Sequence, residues 1–177
     1  MSRKLFFWEL GGCLFAGALG TLLHFVYEWS GGSALAACFS SVNESTWEHM
    51  KLLFLPVFFF STVQMRLLGR NYPNLPAVRA LSTLAGLALI PILFYTYTGI
   101  LGRDWTWANI AVFFLADLAL FLLDFRLLRR GTFSRGWQQL LGLAVLWGLL
   151  FCFVWCTFRP VRLPLWRDPV TGVYGIS

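Results

Sequence analysis

Long apolar runs separated by short polar segments divide the chain into five parts. The runs are Leu5–Tyr27, Trp47–Leu68, Val78–Leu101, Trp105–Leu128 and Trp137–Phe158. Each reaches the roughly 20 residues that a helix needs to cross a hydrocarbon core about 30 Å thick. The pattern therefore predicts an all-α integral membrane protein, a bundle of about five transmembrane helices. Because the runs use nearly the whole chain, we expect a single bundle domain over residues 1–177.

The composition agrees with a chain embedded in lipid. Charged residues make up only 12% of the sequence, about half of the roughly 25% found in soluble domains. The net charge of +6 does not indicate a nucleic-acid partner, because most basic residues lie at the N-terminus and in alternate loops. The positive-inside rule places those segments in the cytoplasm. The N-terminus is therefore predicted to be cytoplasmic and the C-terminus extracytoplasmic.

The C-terminal tail, residues 159–177, does not resemble a flexible linker. It combines prolines and glycines with the aromatic residues Trp166 and Tyr174. We expect it to fold back over the outer face of the bundle. Asp168 would then join the polar residues at that face.

Small residues recur at four-residue steps along the first span, at Gly12, Ala16 and Gly20. Such a stripe lets another helix approach closely within a membrane. His24 and Glu28 continue the same steps. The stripe therefore predicts that both polar side chains face the bundle rather than lipid.

The stretch SVNESTWEHMK, residues 41–51, places several charges at the entrance of the second span. Ser45 and Glu48 fit a capping box, in which each side chain bonds the backbone N–H of the other residue. Glu44, Glu48 and Lys51 are predicted to share one face of this helix. A solvated ion pair between Glu44 and Lys51 is the simpler alternative.

Both histidines of the chain fall near this outer mouth together with several acids. Imidazole and carboxylate groups suit zinc, manganese or iron, and three protein ligands with an open position are typical of a catalytic metal site. The candidate metal ligands are His24, Glu28, Glu48 and His49, and the candidate catalytic residues are Asn43, Glu44, Glu48, His49 and Lys51, with Lys51 as an anion clamp. The spacing matches no known metal motif. A cap for Glu48 and an interhelical hydrogen bond for His24 are the alternatives.

Two acids interrupt the fourth span. Asp124 lies close to the predicted cytoplasmic arginines, and we expect it to pair with one of them. Asp117 lies deeper, where a carboxylate costs roughly 2.5–3.5 kcal/mol to insert, so it should be protonated or paired. A proton relay and a structural hydrogen bond are both open for Asp117.

The four cysteines follow no metal-binding spacing. Cys152 and Cys156 lie one helical turn apart, and Cys38 is predicted at the same boundary. Small apolar packing is the expected role, and a pairing of Cys38 with either of the others is left open.

Three segments, VNESTWEHMKLLFLP, FYTYTGILG and RDPVTGVYGI, resemble the signature segments of a family of small bacterial polytopic membrane proteins. That family has an N-E-S-x-W-E-H-x-K segment and is known only as a domain of unknown function. The resemblance covers nearly the full chain. It implies an integral protein of the bacterial cytoplasmic (inner) membrane and directs attention to the residues Asn43, Glu44, Trp47, Glu48, His49 and Lys51.

The sequence therefore favours a polar site recessed in the outer side of the membrane. The leading hypothesis is a metal-assisted hydrolase or transferase that acts on a lipid or lipid-linked substrate. The first alternative is a small proton- or ion-coupled transporter, with His24, Glu48 and Asp117 as a proton path. The second is a non-catalytic subunit that docks a partner membrane protein. Membrane lipid is the expected partner, and a homo-oligomer is compatible with each hypothesis.

Overall fold

The computed structural model describes residues 2–176 and shows a helical protein. Its α-helices are α1 (Ser2–Trp29), α2 (Ala34–Phe39), α3 (Thr46–Leu68), α4 (Leu75–Leu101), α5 (Thr106–Arg130) and α6 (Gly136–Phe158), followed by a short 3-10 helix (Pro164–Trp166). The described residues contain no strand, only an isolated antiparallel bridge between Arg167 and Tyr174. Met1 and Ser177, the limits of the predicted domain, lie outside the described residues.

The five predicted runs are confirmed as helices, with ends that agree to within three residues. The short helix α2 was not predicted, because six residues are too few to show a helical period. It lies in the connection between α1 and α3, where the sequence analysis expected a simple loop. Its presence shortens the polar part of that connection to a few residues on each side.

Four helices, α1, α3, α4 and α6, are long and apolar enough to cross a membrane. Large hydrophobic side chains also cover the outside of the bundle; Phe7, Leu14, Leu67, Leu140 and Phe151 are each more than half exposed. Soluble monomers rarely expose so much apolar surface. Both observations support a multi-pass membrane protein. A crossing by α5 and the orientation of the termini stay predictions.

Helix α3 is the central element of the bundle. It packs against α1, α4, α5 and α6, and every residue from Lys51 to Phe58 is buried. The ring of Phe54 lies against Phe153 of α6 at 5.1 Å between centroids. Because this part of α3 is enclosed by its neighbours, polar residues on it must find partners inside the protein.

The small-residue stripe of α1 faces the bundle, as predicted. Ala16 has no exposed surface. A Cβ atom added to Gly12 would lie 2.5 Å from the ring of Phe121, and one added to Gly20 would lie 2.8 Å from the carbonyl oxygen of Leu52. These approaches let α1 lie directly on α3 and α5. The last turns of α1 are thereby held beside the first turn of α3.

The tail turns back across this end of the bundle. Trp166 stacks on Trp47 of α3, with ring centroids 4.6 Å apart. The side-chain amide of Asn43 donates to the carbonyl oxygen of Gly175 at 2.9 Å. The tail therefore contacts both α3 and the segment that precedes it.

Candidate functional site

The site lies where α1 ends and α3 begins, and its side chains come from three short segments. His24 lies in the penultimate turn of α1, Glu44 in the segment before α3, and His49 in the first turn of α3. Ser45 is the N-cap of α3, and its hydroxyl accepts the backbone N–H of Glu48 at 3.3 Å. This cap fixes where the helix starts and therefore where His49 points.

The carboxylate of Glu44 lies between the two imidazole rings. His24 Nε2 is 3.4 Å from Glu44 Oε1, and His49 Nε2 is 3.6 Å from Glu44 Oε2. The side chains of the two histidines are 28% and 27% exposed, and that of Glu44 is 49% exposed. The three residues, which we call the triad, thus form a half-buried group that solvent and small molecules can reach.

The second nitrogen of each imidazole has a hydrogen-bond partner. His49 Nδ1 lies 3.0 Å from the carbonyl oxygen of Ser45, which can only accept, so a neutral His49 carries its N–H on Nδ1 and turns the lone pair of Nε2 toward Glu44. The Ser41 hydroxyl lies 3.3 Å from both the carbonyl oxygen and Nδ1 of His24. When that hydroxyl donates to the carbonyl oxygen, its own oxygen accepts from Nδ1, and His24 then has the same tautomer as His49. Metal-binding histidines are held in the same manner by outer partners.

This donor set fits a divalent metal ion. The three ligand atoms lie within 4.8 Å of one another. In a tetrahedral site with bonds of about 2.0–2.1 Å, neighbouring ligand atoms are about 3.4 Å apart, so the three side chains would draw together slightly around a bound ion. When both Nε2 atoms are unprotonated, their lone pairs and the carboxylate repel one another unless a cation lies between them. Either a metal ion or protons on the rings can supply that charge.

Glu48 and Lys51 are directed elsewhere, which corrects two predicted roles. Glu48 Oε2 forms a 2.6 Å ion pair with Lys51 Nζ, and both side chains are buried. Lys51 also donates to the carbonyl oxygen of Ala37 and to the Thr157 hydroxyl. Lys51 is therefore enclosed and unable to clamp a substrate anion. Glu48 is not a member of the triad, and its Oε2 accepts the N–H of Val42 rather than closing the capping box.

The remaining predicted residues do not join the triad either. Glu28 is exposed near the end of α1 and lies outside the triad, so the prediction that it faces the bundle is wrong. Glu44 precedes α3, so the shared helical face expected for Glu44 and Lys51 does not form. Asn43 accepts the N–H of Ser45 at 2.9 Å while its amide holds Gly175. Its observed contacts join the site segment to the tail.

Asp168 supports the triad from the tail. Burial raises the pKa of this carboxyl, but hydrogen bonds from the N–H groups of Val170, Thr171 and Glu44 outweigh that effect, and the pKa is lowered below its usual value. The distances are 2.7 Å, 3.2 Å and 3.5 Å. Asp168 thus remains an anion at neutral pH and holds the backbone of Glu44 rather than acting as a ligand.

The comparison with known protein families gives one result. A family model described as a family of unknown function, DUF6512, matches residues 3–176. The chain belongs to this family. No curated protein and no solved structure matches it. Membership confirms the predicted resemblance to a family of unknown function, whereas a bacterial origin stays a prediction.

In this DUF6512 chain a second polar group is buried among α1, α3, α4 and α5. Arg79 Nη2 lies 2.7 Å from Asp124 Oδ2 and 3.2 Å from Glu9 Oε2. Gln64 joins them, since its Nε2 donates to Glu9 at 2.6 Å and its Oε1 accepts from Arg79 at 2.5 Å. We call these four residues the Arg79 cluster. The expected pairing of Asp124 with an arginine is confirmed.

Sequence reasoning missed most of this cluster. The charge pattern counts Arg79 among the basic residues of a cytoplasmic loop, although it falls within the predicted run Val78–Leu101. In the structure it lies inside α4 with no exposed surface. The available signal was Glu9, a carboxylate within an apolar run, which requires a buried partner.

Asp117 of this DUF6512 chain is also buried, and the thiol of Cys13 lies 3.3 Å from its Oδ2. A structural hydrogen bond is therefore present at Asp117. All four cysteines are free thiols. The pairing that was left open for Cys38 is thus absent, and its thiol contacts the carbonyl oxygen of Ala34.

Proposed function

We propose that the triad of His24, Glu44 and His49 binds a divalent metal ion and that the protein is a membrane hydrolase or transferase for a lipid or lipid-linked substrate. The observation that carries this proposal is the convergence of two Nε2 atoms on one carboxylate while both Nδ1 atoms have hydrogen-bond partners. Three ligands at a half-exposed site leave a coordination position for water or substrate.

The chemistry follows from the donor set. A bound cation would polarise a carbonyl or phosphoryl oxygen of the substrate and make a bound water a stronger nucleophile. The imidazoles of His24 and His49 orient the site through their bonds to Ser41 and Ser45. Glu44 would hold the ion through one carboxylate oxygen, and its other oxygen would accept a proton from the attacking water, because the side chain is half exposed.

The surroundings support a lipid substrate. Phe25 packs edge-on against His24 and stacks on Trp29, and both aromatic rings are exposed on the outer surface of α1. A hollow of about 530 Å³ opens at the same end of the bundle, lined by Phe158, Arg159, Pro160, Arg162 and Tyr174. Apolar surface beside two arginines suits an acyl chain with an anionic headgroup.

The first test is the metal content of the purified protein. Protein extracted in detergent without chelators should retain about one equivalent of zinc, manganese or iron. His49→Ala and Glu44→Gln should each lose it, because each removes one of three ligands. Glu28→Gln is the matched control, an exposed glutamate next to the site that should leave the metal content unchanged. Wild-type protein that stays free of metal after incubation with each ion would refute the metal site.

The second test addresses the reaction. Wild-type protein in liposomes of mixed anionic and neutral phospholipids should release a new lipid product, detected by mass spectrometry. His49→Ala should abolish that product, and Glu28→Gln should not. A metal-bound protein that converts no lipid would leave the metal site standing and refute the assigned substrate class.

A second candidate, a proton-coupled carrier, is favoured by one observation. Asp117 and the Arg79 cluster place three carboxyl groups inside the bundle, whereas a hydrolase needs none at that depth. The predicted path through His24 and Asp117 would use them, although Glu48 is engaged by Lys51. Proton flux into liposomes that collapses in Asp117→Asn would favour the carrier over the hydrolase.

A further inference from the structure

We propose that Glu9 and Asp124 share one exchangeable proton, which makes the Arg79 cluster a proton-binding site inside the bundle. This inference is independent of the metal site, since no residue of the cluster belongs to the triad. It rests on a count of hydrogen atoms, on the balance of charge, and on buried polar atoms without partners.

The hydrogen count comes from a single nitrogen. Arg79 Nη2 carries two hydrogens, and its two hydrogen bonds go to Gln64 at 2.5 Å and Glu9 at 3.2 Å. Asp124 Oδ2 lies 2.7 Å from the same nitrogen, but among the described residues neither oxygen of Asp124 receives a hydrogen bond, and Nε and Nη1 of Arg79 are also without partners. The guanidinium therefore does not satisfy Asp124. A proton on one of the carboxyl groups removes the charge that is left without a donor.

The charge balance leads to the same conclusion. Glu9 and Asp124 carry two negative charges against the single positive charge of Arg79, and all three side chains are at most 4% exposed. An uncompensated charge at such depth is expensive, and buried groups become neutral instead. The facing groups from α3 and α4, Gln64 and Ser82, are neutral. One proton therefore brings the cluster to zero net charge.

Buried atoms without partners show where the proton can be exchanged. Within residues 2–176, Asp124 Oδ1, Ser82 Oγ and Asp117 Oδ1 have no hydrogen-bond partner. Asp117 lies two turns before Asp124 on α5, and Cys13 lies one turn after Glu9 on α1. The thiol of Cys13 bonds Asp117, so a second acceptor lies along the same seam. A proton leaving the cluster toward the triad end meets Asp117 first.

Infrared spectroscopy of the protein in liposomes tests this assignment. The carbonyl stretch of a protonated carboxyl group should be present in Asp117→Asn, a background that removes the other deep acid. Its intensity should fall reversibly as the pH is raised while the protein stays folded, with the loss of about one group. A missing band in this background, or a band that never changes with pH, would overturn the proposal.

Two further variants assign the band to the cluster. Adding Glu9→Gln or Asp124→Asn to the Asp117→Asn background should each abolish it, because one carboxylate alone is balanced by Arg79 and needs no proton. Glu28→Gln, the same substitution at an exposed position of the same helix, should leave it unchanged. A band that survives in either cluster variant that folds would place the proton elsewhere and refute the assignment.

Discussion

The two polar groups of this protein are built with opposite charge arrangements. In the triad one carboxylate, Glu44, lies between two imidazoles. In the Arg79 cluster one guanidinium lies between two carboxylates, Glu9 and Asp124. The first therefore lacks a cation when its rings are neutral, whereas the second carries a surplus anion. We propose that each is completed by a positive species that the side chains themselves do not supply.

Their depth decides which species fits. The triad is between 27% and 49% exposed, so a hydrated metal ion can reach it and exchange ligands. The Arg79 cluster is at most 4% exposed and is enclosed by four helices. A proton, the smallest cation, is therefore the positive species that suits it. The comparison teaches that a two-to-one arrangement of charge leaves room for a ligand where it is exposed, and must be balanced inside the protein where it is buried. Four substitutions test that distinction.

The largest effect is expected from Arg79→Met, which removes the only positive charge of the buried cluster. Two carboxylates would then be buried without a cation, and breaking such a group costs about 3–5 kcal/mol. Thermal unfolding in detergent, followed by tryptophan fluorescence, should show a large fall in Tm or no folded protein. Arg66→Met, on the exposed side of α3, is the control.

A neutral version of the cluster sharpens this result. Adding Glu9→Gln and Asp124→Asn to Arg79→Met removes all three charges, so most of the lost stability should return. Equal stability of Arg79→Met and the wild type would contradict the role assigned to the cluster.

A smaller effect is expected from Ser41→Ala, which removes the acceptor that orients His24. Loss of such an outer partner typically weakens metal affinity about 10–100-fold. Competition with a chromophoric chelator measures this change, and Tm in the absence of metal should hardly move. Ser40→Ala is the matched control, since that hydroxyl bonds the carbonyl oxygen of Ala36. Equal affinities in both variants would separate Ser41 from the site.

The third substitution, Asp168→Asn, tests the support of Glu44 by the tail. Hydrogen bonds to a charged group contribute about 1.5–3 kcal/mol, so the free energy of unfolding should fall by roughly that amount at pH 7. The folded-state pKa of Asp168 is lowered, so its contribution is complete above the unfolded pKa and is lost as the pH falls through the folded value. The variant and the wild type should therefore converge in strong acid.

The control for this pH dependence is Asp104→Asn, in the exposed loop between α4 and α5. This variant should change neither the free energy of unfolding at pH 7 nor the way it falls at acid pH. A gap between Asp168→Asn and the wild type that is the same at pH 7 and in strong acid would assign the effect to packing rather than charge.

The smallest effect is expected from Glu28→Gln, at an exposed position one turn beyond His24. Surface substitutions of this kind usually change stability by less than about 0.5 kcal/mol, and Glu28 is not a member of the triad. Metal content and Tm should both match the wild type. A loss of metal here would show that the site extends along α1 beyond His24.

The helices could be predicted from the sequence because each depends on a local property, the length of an apolar run. The start of α3 could be predicted as well, since Ser45 caps it as expected. The convergence of the two histidines followed from the small stripe of α1, which fixes the packing of neighbouring helices.

The sequence could not predict that Glu44, rather than Glu48, would lie between the two histidines. This arrangement depends on Thr157, which hydrogen-bonds Lys51 from 106 residues away and so keeps the Glu48–Lys51 pair inside the bundle. The Arg79 cluster could not be predicted for the same reason, because Glu9 lies 70 residues from Arg79. A charged residue near a loop is predicted to be exposed to solvent unless its distant partner is known.

The bond from the backbone of Glu44 to Asp168 has a consequence for the order of assembly. All three donor side chains are synthesised within the first 49 residues, so a nascent chain holds them long before the tail emerges. Until Asp168 docks, the backbone of Glu44 lacks its contact with the tail. With the metal site that we propose, a cation would be bound fully only after the last helix and the tail are in place.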